Sequence, residues 1–411
     1  MSSLLDPIVV GDRLPLRNRV VMGSMTRNRC FDDYKPGPAQ VKYYADRARY
    51  GTGLIVTEGT FVDWTGCEWK HVPFMISQDH SDAWGKVVNA VHEAGSKILF
   101  QAWHAGRCQH DQVPIMKEKA GQVLAPSAIK ADAGKYRDLP GEPGHTENVK
   151  AISNVQDVIN AYKKSCQLAQ SAGFDGVELV AQGGYLPHQF LDSRANKRVD
   201  EYGGSVENRC RFTLEVVDAI AEVFSGPEVI CVKINPTDYL NDSLVQFEEM
   251  KETYTYLINE LVNRRVGIIN LGRRGAVTNA GTGGLFGHLV RSIDYQLPQG
   301  YDPVLDFGKL IKFPGSPSLL MANHDYTAEE ANALVRTGKL DLITFARAFI
   351  YNPVGKSESA VHQDLLTFCQ DVVPRIAHGI PFAENDRGPT VYYGPGKTAD
   401  ENYNDWPAAA A

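Results

Sequence analysis

Short apolar runs alternate with longer segments of helical periodicity along most of the chain. The runs are bounded by glycine or polar residues, a pattern typical of buried strands. Eight strands are predicted, at Arg19–Met22, Leu54–Thr57, Lys97–Gln101, Gly176–Val180, Val229–Ile234, Ile268–Leu271, Ser318–Met321 and Leu342–Phe345. Helical periodicity lies between them, over Ala39–Tyr50, Ala83–Ala94, Val155–Ala172, Val206–Phe224, Phe247–Arg264 and Thr327–Gly338. Strict alternation predicts a parallel sheet, and eight repeats predict a closed α/β fold, the (β/α)8 TIM barrel.

A doubly wound dinucleotide-binding fold is the competing architecture, and it requires a glycine fingerprint between a strand and a helix. The nearest glycine cluster runs from Gly281 to Gly287, in a long loop after the sixth strand. Because no strand-turn-helix junction surrounds it, we interpret the cluster as an ordinary loop and reject this fold.

The predicted domain organisation is one barrel with long loops at its C-terminal face. Irregular insertions follow the third strand (Cys108 to Asn154) and the sixth strand (Gly272 to Asp302). Barrel enzymes build their active sites at this face. We expect residues 1–385 to form the barrel and residues 386–411 to form a tail that covers its mouth and frays at 408–411.

Composition narrows the function classes. The 411 residues carry a net charge of −7, and no Lys/Arg cluster offers the basic surface that a nucleic acid requires. No apolar stretch is long enough to span a membrane, and the N-terminus does not have the pattern of a signal peptide, so a cytoplasmic protein is expected. The seven cysteines are scattered without C-x-x-C spacing, which favours free thiols and indicates no metal site.

The segment from Gly173 to Phe212 carries the most specific pattern, GFDGVEL, then GYL-x-HQFLD, NKR-x-DEYGGS and ENR-x-RF. This run closely resembles the old yellow enzyme family of FMN-dependent oxidoreductases. The resemblance implies FMN as cofactor, NAD(P)H as reductant and a small-molecule substrate that contains an activated double bond. It also implies that Tyr185 is the general acid that protonates the substrate.

The same resemblance implies which strand ends hold the flavin. Thr26 follows the first strand, where the family places a hydroxyl or thiol beside flavin O4. Gln101 ends the third strand, and an amide can both donate to and accept from the pyrimidine edge. Lys233 ends the fifth strand, where a cation stabilises the anionic reduced flavin. The phosphate is expected after the last two strands, at Asn323, Ala346 and Arg347.

The substrate pocket departs from the family pattern. The family carries a histidine and, three residues later, an asparagine that together hold the substrate carbonyl; here these positions are Val180 and Gly183. Neither side chain donates a hydrogen bond, so a wider and less polar pocket is expected. Trp103 and Tyr393 are expected to line this pocket. Candidates for replacement donors, chosen by loop position, are Gln182, His71, His104 and Tyr393.

Three functions are compatible with these features. One is a divergent ene-reductase that acts on the activated C=C or C=N of a bulky specialised metabolite. The second is a flavin-dependent desaturase, isomerase or cyclase, and the third is a flavin-binding protein without catalytic activity. Tyr185, Lys233 and Thr26 argue against the third, because a pure binder does not need a proton donor. A monomer or homodimer is expected.

Overall fold

The computed structural model describes residues 3–67, 69–132, 144–273, 295–352, 371–385, 387, 392–394 and 398–404. The strands are β1 Ile8–Val10, β2 Leu14–Leu16, β3 Val20–Met22, β4 Leu54–Val56, β5 Thr60–Phe61, β6 Lys97–Trp103, β7 Val123–Ala125, β8 Val149–Ala151, β9 Gly176–Ala181, β10 Ile230–Ile234, β11 Ile268–Gly272, β12 Leu319–Asn323 and β13 Leu342–Phe345. The helices are α1 Pro38–Arg49, α2 Gln78–Glu93, α3 Val155–Ser171, α4 Leu186–Leu191, α5 Val206–Phe224, α6 Phe247–Asn263, α7 Pro303–Ile311, α8 Ala328–Arg336, α9 Ala348–Tyr351 and α10 Val372–His378.

Eight parallel strands close into a barrel, as the alternation predicts. Their order is β3, β4, β6, β9, β10, β11, β12 and β13, and β13 pairs with β3 to complete the ring. Each predicted strand is present, with boundaries that differ by at most two residues. Because every strand runs in the same direction, all eight carboxyl ends lie at one mouth of the barrel.

The helices between the strands bury one face each against the barrel, and side chains cap the first turns of several of them. Asn154 accepts a hydrogen bond from the backbone of Gln156 at the start of α3, and Ser205 accepts one from Asn208 at the start of α5. Such caps satisfy N–H groups that have no partner within the helix. The cap of α5 matters for the site, since it fixes the end of the loop that begins after β9.

The structure contains several strands that the alternation of apolar runs and helical segments did not predict. A β1–β2 hairpin lies across the amino ends of β10 and β11, where a Cβ on Gly11 would be 2.3 Å from the Cβ of Glu228. The insertion after the third strand is not wholly irregular, because β7 and β8 pair within it.

The glycine cluster at 281–287 and the tail end at 408–411 lie outside the described residues. Among the helices that the structure describes, none combines the length and apolar character needed to cross a membrane.

Candidate active site

Strand pairing brings the polar side chains of several strands together near the barrel mouth. Lys233 is the register partner of Val180 on one side and of Asn270 on the other, and Gln101 is paired with Glu178. Residues that are far apart in sequence are therefore neighbours near the mouth. Gln101 lies opposite a residue two positions before Val180, and Val180 lies opposite Lys233.

A chain of hydrogen bonds crosses the barrel interior just below the mouth. The Ser24 hydroxyl donates to the side-chain oxygen of Gln101, whose Nε2 donates to Glu178 Oε1 at 2.6 Å. Asn270 Nδ2 donates to Glu178 Oε2 at 3.0 Å, and Asn323 Nδ2 donates to Asn270 Oδ1 at 2.6 Å. Buried polar groups need such partners, so this chain fixes the orientation of the side-chain amides at the mouth.

Lys233 and Thr26 offer polar groups that the fold itself does not use. Lys233 is only 9% exposed, yet within the described part of the chain its ammonium group forms no ion pair or hydrogen bond. Thr26 is half-buried, and its hydroxyl likewise has no partner among the described residues. A buried cation without a carboxylate partner is costly unless a ligand compensates its charge. Lys233 is therefore suited to an anionic ligand at the barrel axis.

The last two strands place a second cation at the same mouth. The Arg347 side chain is exposed, lies over the ring of Tyr392 at 5.5 Å and forms no ion pair with a described residue. Ala346 precedes it and is half-buried, while the Oδ1 atom of Asn323 is buried without a hydrogen-bond donor. Arginine is the residue of choice for holding a phosphate in a planar fork. This arrangement suits the phosphate end of a nucleotide.

Close packing at Gly23 joins these two regions. A Cβ at Gly23 would lie 2.3 Å from Cγ2 of Thr344 and 3.3 Å from the Cβ of Ala346. Only glycine lets the loop after β3 approach the end of β13 so closely. The loop that carries Thr26 is thereby held beside the loop that carries Arg347.

Four aromatic side chains form one wall of the mouth, which we call the aromatic wall: Trp69, Trp103, Tyr185 and Tyr393. The ring of Trp103 meets Tyr185 edge to face at 4.9 Å and Trp69 at 5.8 Å, and Trp69 meets Tyr393 at 5.7 Å. Val180 is 5% exposed and belongs to the same apolar cluster. A large apolar surface of this kind binds rigid apolar ligands well.

Val180 and Gly183, the two positions that the sequence resemblance aligns with a carbonyl-binding pair, contribute no donor side chain. Val180 packs in the apolar cluster, and Gly183 has φ +70 in a turn from Gln182 to Tyr185 that we call the Gly-Gly turn. The backbone N–H of Gly183 is already donated to Asp238 Oδ2 at 2.9 Å. Neither the side chains nor this amide of Gly183 can therefore hold a substrate oxygen without rearrangement.

The candidate replacement donors have different surroundings. His104 is buried; its Nδ1 accepts from the backbone of Gly106 at 3.1 Å, and its Nε2 lies 3.2 Å from the Thr65 hydroxyl. Burial lowers the pKa of His104 to about 4, so the ring is neutral and serves the loop structure. His71 lies 3.2 Å from the carbonyl of Cys30 and packs on Phe31.

Gln182 retains unused hydrogen-bonding capacity. It is half-buried at the start of the Gly-Gly turn, and its Oε1 atom is buried without a donor. Within the described residues its side chain makes no hydrogen bond. Of the four candidates, Gln182 lies in the Gly-Gly turn and Tyr393 in the aromatic wall.

Two buried arginines connect the C-terminal tail to the loop after β3. Arg27 donates to the backbone carbonyls of Tyr392 and Asn402, and Arg29 donates to that of Glu401. Tyr403 is fully buried and stacks on a tyrosine of α1, Tyr43, at 4.0 Å. These contacts place Tyr393 against Trp69. The described parts of the tail therefore contribute to the mouth of the barrel.

A buried carboxyl lies beneath this connection. Glu58 follows β4 and accepts a hydrogen bond from the backbone N–H of Arg27 at 3.1 Å. Burial raises the pKa of Glu58 to about 7, although Arg27 and Arg29 oppose the rise. The acid is thus partly protonated near neutral pH, which gives this region a pH dependence.

Several residues of the site were not anticipated from the sequence. Glu178 and Asn270 are polar residues within apolar runs, a signal that could have indicated them. Asp238 and Asn241 lie in the loop after β10, and Trp69 lies in the loop after β5. Position at the C-terminal face was their only available signal, because nothing in the local pattern distinguishes them from ordinary loop residues.

The donor set fits the FMN that the resemblance implies. Two cations that have no carboxylate partner among the described residues, Lys233 and Arg347, lie at one mouth, and FMN is anionic at its phosphate and, when reduced, at its ring. The Thr26 hydroxyl, which has no partner in the described part of the chain, and the second N–H and lone pair of the Gln101 amide offer neutral partners for the ring edge. These four residues would hold the group, together with the backbone near Asn323.

Comparisons with known proteins agree with this fit. The profile of the NADH:flavin oxidoreductase / NADH oxidase family matches residues 3–359. A probable flavin mononucleotide-dependent alkene reductase from Leishmania infantum is 32% identical over 410 residues, which cover 98% of this chain and 97% of the relative.

Comparison with solved structures indicates the same family. An old yellow enzyme homologue from Zymomonas mobilis superposes with a TM-score of 0.79 at 27% identity and covers 99% of both chains. Morphinone reductase in complex with tetrahydroNAD superposes with a TM-score of 0.77 at 30% identity, covering 99% of this chain and 98% of the other. This chain therefore belongs to the NADH:flavin oxidoreductase / NADH oxidase family, the old yellow enzymes, and is an FMN-dependent oxidoreductase that takes its electrons from NAD(P)H.

Proposed function

We propose that this protein reduces the activated C=C or C=N bond of a bulky specialised metabolite, with Tyr185 as the proton donor. The observation that carries the proposal is the position of Tyr185. Its ring is half-buried against Trp103 at the mouth where Lys233 lies without a partner in the described chain. Tyr185 as a proton donor and Lys233 as a cation for a reduced flavin therefore lie at the same mouth of the barrel.

The cofactor supplies a hydride from flavin N5 when it is bound and reduced. Lys233 would balance the negative charge of the reduced ring, and Arg347 would hold the phosphate. Thr26 and Gln101 would hold the ring edge by hydrogen bonds. All four residues would act by binding and orientation.

Tyr185 completes the reduction. One atom of the substrate double bond receives the hydride and the other receives the phenolic proton, so the bond gains two electrons and two hydrogens in total. General-acid catalysis of this kind contributes typically ~10²–10⁴-fold to a rate. The Tyr185 backbone N–H donates to the Gln182 carbonyl at 3.2 Å, which orients the start of α4 and with it the phenol.

Substrate binding relies on apolar contact. In the family, two donors at the Val180 and Gly183 positions stabilise the charge that develops on a carbonyl oxygen, and losing one such donor costs roughly 10²–10³-fold. Here the aromatic wall supplies binding surface in their place. The similarity to morphinone reductase and to an alkene reductase supports a bulky substrate with a reducible double bond. Gln182 and Tyr393 are the proposed polar contacts.

A second candidate is flavin-dependent desaturation, isomerisation or cyclisation. The specific observation in its favour is that the Gly183 N–H is committed to Asp238 while Val180 is apolar, so charge on a substrate oxygen has little support there. A flavin-binding protein without catalytic activity is the least favoured option, because such a protein would not need a proton donor such as Tyr185 beside the proposed flavin site.

The experiment that separates these functions is an anaerobic double-mixing measurement of flavin absorbance. NADPH is mixed with the FMN-loaded enzyme first, and 2-cyclohexenone or air-saturated buffer is added second. The proposed reductase is reoxidised faster by the enone than by buffer alone, and Tyr185→Phe slows only the enone reaction. Reoxidation by oxygen alone would instead support desaturation, and a protein that binds FMN but is not reduced by NADPH would support the inactive binder.

A further inference from the structure

The Gly-Gly turn is held by side chains through every one of its glycine backbone groups. Gly183 donates its N–H to Asp238 Oδ2 at 2.9 Å, and its carbonyl accepts from Asn241 Nδ2 at 2.7 Å. Gly184 donates its N–H to His188 Nδ1 at 3.1 Å, and its carbonyl accepts from Gln189 Nε2 at 2.7 Å. A turn whose two glycines bind side chains through all four of their backbone polar groups is held more firmly than an ordinary surface loop.

These side chains come from two different directions. His188 and Gln189 belong to α4, which follows the turn directly. Asp238 and Asn241 come from the loop after β10, and Asn241 itself has φ +56. A left-handed conformation at a non-glycine residue is costly and persists where the surroundings require it. The loop after β10 is thus shaped to reach the turn.

The protonation state of His188 agrees with this geometry. Its Nδ1 must be unprotonated to accept from Gly184, which leaves the proton on Nε2, 3.2 Å from the Tyr254 hydroxyl. Burial, and secondarily the charge of Arg107, lowers the pKa of His188 to about 4. The neutral ring that the turn requires is therefore the stable form at neutral pH.

The turn determines where the phenol of Tyr185 lies. Tyr185 follows Gly184 directly, and a Cβ on Gly183 would be only 2.9 Å from Cε2 of its ring. The ring therefore packs on the turn, and any displacement of Gly183 displaces the phenol. Misplacing a reacting group by ~1 Å can cost roughly 10²-fold in rate.

We propose that Asp238 and Asn241 are positioning residues for Tyr185, acting through the backbone of Gly183. This inference rests on the proposed function, since it assumes that Tyr185 delivers the proton. Asp238 also accepts from the backbone of Tyr239 at 2.9 Å with its other oxygen, so one carboxylate joins the two loops. Asn241 fixes the next peptide plane, because it donates to the carbonyl of Gly183.

The test uses two variants of the FMN-loaded full chain. Asp238→Ala removes the acceptor for the Gly183 N–H. Asn241→Gly removes the donor to the Gly183 carbonyl, and glycine tolerates the left-handed backbone at this position. The control is Asp341→Ala, because Asp341 is also a buried aspartate that accepts a backbone N–H, that of Leu320 at 2.9 Å, but lies before β13 at the opposite end of the barrel.

Each half-reaction is followed separately by stopped flow. We expect Asp238→Ala and Asn241→Gly to slow reoxidation by 2-cyclohexenone about tenfold or more and to raise its solvent deuterium isotope effect, since proton delivery becomes limiting. Flavin reduction by NADPH should stay within about twofold of the wild type. Asp341→Ala should lower thermal stability without changing either half-reaction or the isotope effect.

The outcomes separate the inference from the proposed function. If Tyr185→Phe slows enone reduction but neither turn variant does, the positioning role is wrong and the acid role stands. If the turn variants slow both half-reactions equally, their effect is structural and the inference is again wrong. If Tyr185→Phe reacts like the wild type, or the wild type does not reduce the enone, the proposed function itself fails.

Discussion

Replacing Gly183 by alanine tests whether the position of the Tyr185 ring depends on the Gly-Gly turn. The substitution places a Cβ 2.9 Å from Cε2 and 3.1 Å from Cδ2 of that ring. Carbon atoms pack best about 3.5–4.0 Å apart. The backbone is held on both sides by Asp238 and Asn241, so the ring must move by roughly 0.5–1 Å.

The backbone cost of this substitution needs its own control. Gly183 has φ +70, where a side chain costs roughly 1–2 kcal/mol. Gly338, after α8, has φ +72 and no atom within 4 Å of an added Cβ. Gly338→Ala therefore has the same backbone cost without the contact. Comparing the two variants isolates the displacement of Tyr185.

We expect both variants to lose about 1–2 kcal/mol of unfolding free energy in urea titrations. Only Gly183→Ala should slow enone-driven reoxidation of the flavin, by roughly 10- to 100-fold, while its reduction by NADPH stays near the wild-type rate. A Gly183→Ala enzyme that reoxidises at the rate of Gly338→Ala would refute the reasoning, because the phenol would then tolerate the displacement.

Other residues give further predictions. Glu58→Gln should remove a pH dependence of stability. Burial raises the folded-state pKa of Glu58 from 4.5 to about 7, so the wild type loses roughly 3 kcal/mol of unfolding free energy as the pH rises from below 4.5 to above 7. Urea titrations at pH 4.5 and pH 8 should show this loss in the wild type and not in Glu58→Gln. Lys233→Met should destabilise the reduced flavin by about 1.5–3 kcal/mol, which lowers its midpoint potential by roughly 30–65 mV in a dye-coupled titration. Arg347→Ala should weaken FMN binding roughly 10- to 100-fold in a fluorescence titration. Lys97→Met, at the other end of the barrel, should leave both the flavin midpoint potential and the FMN affinity unchanged. If Lys97→Met changed them as much as Lys233→Met and Arg347→Ala do, the roles assigned to Lys233 and Arg347 would be contradicted.

The barrel could be predicted because its strands have a clear local pattern. Buried parallel strands are apolar on both faces, so runs such as Ile230–Ile234 are recognisable without their neighbours. Lys233 was noticeable for the same reason, as a cation within an apolar strand. The β1–β2 hairpin and the β7–β8 pair were missed because their strands are only partly buried and include Pro15 and Lys150, so they do not form continuous apolar runs.

The turn that holds Tyr185 could be only partly predicted. The sequence indicates two adjacent glycines, and these form the turn before Tyr185. It does not indicate that Asp238 and Asn241 meet this turn, since they are 55 and 58 residues further along the chain and reach it through an irregular loop. Such contacts depend on tertiary packing and have no local signature.

The central claim is that the chain transfers a hydride from FMN to an activated double bond and a proton from Tyr185. Its most direct test is double-mixing stopped flow on the FMN-loaded wild type and Tyr185→Phe, with NADPH first and 2-cyclohexenone second, under anaerobic conditions. The account predicts that NADPH bleaches both proteins at similar rates and that the enone restores the oxidised spectrum of the wild type about 10²-fold or more faster than that of Tyr185→Phe. Equal reoxidation of the two proteins by the enone would contradict the role of Tyr185, and a wild type reoxidised only after oxygen is admitted would contradict reduction of the double bond itself.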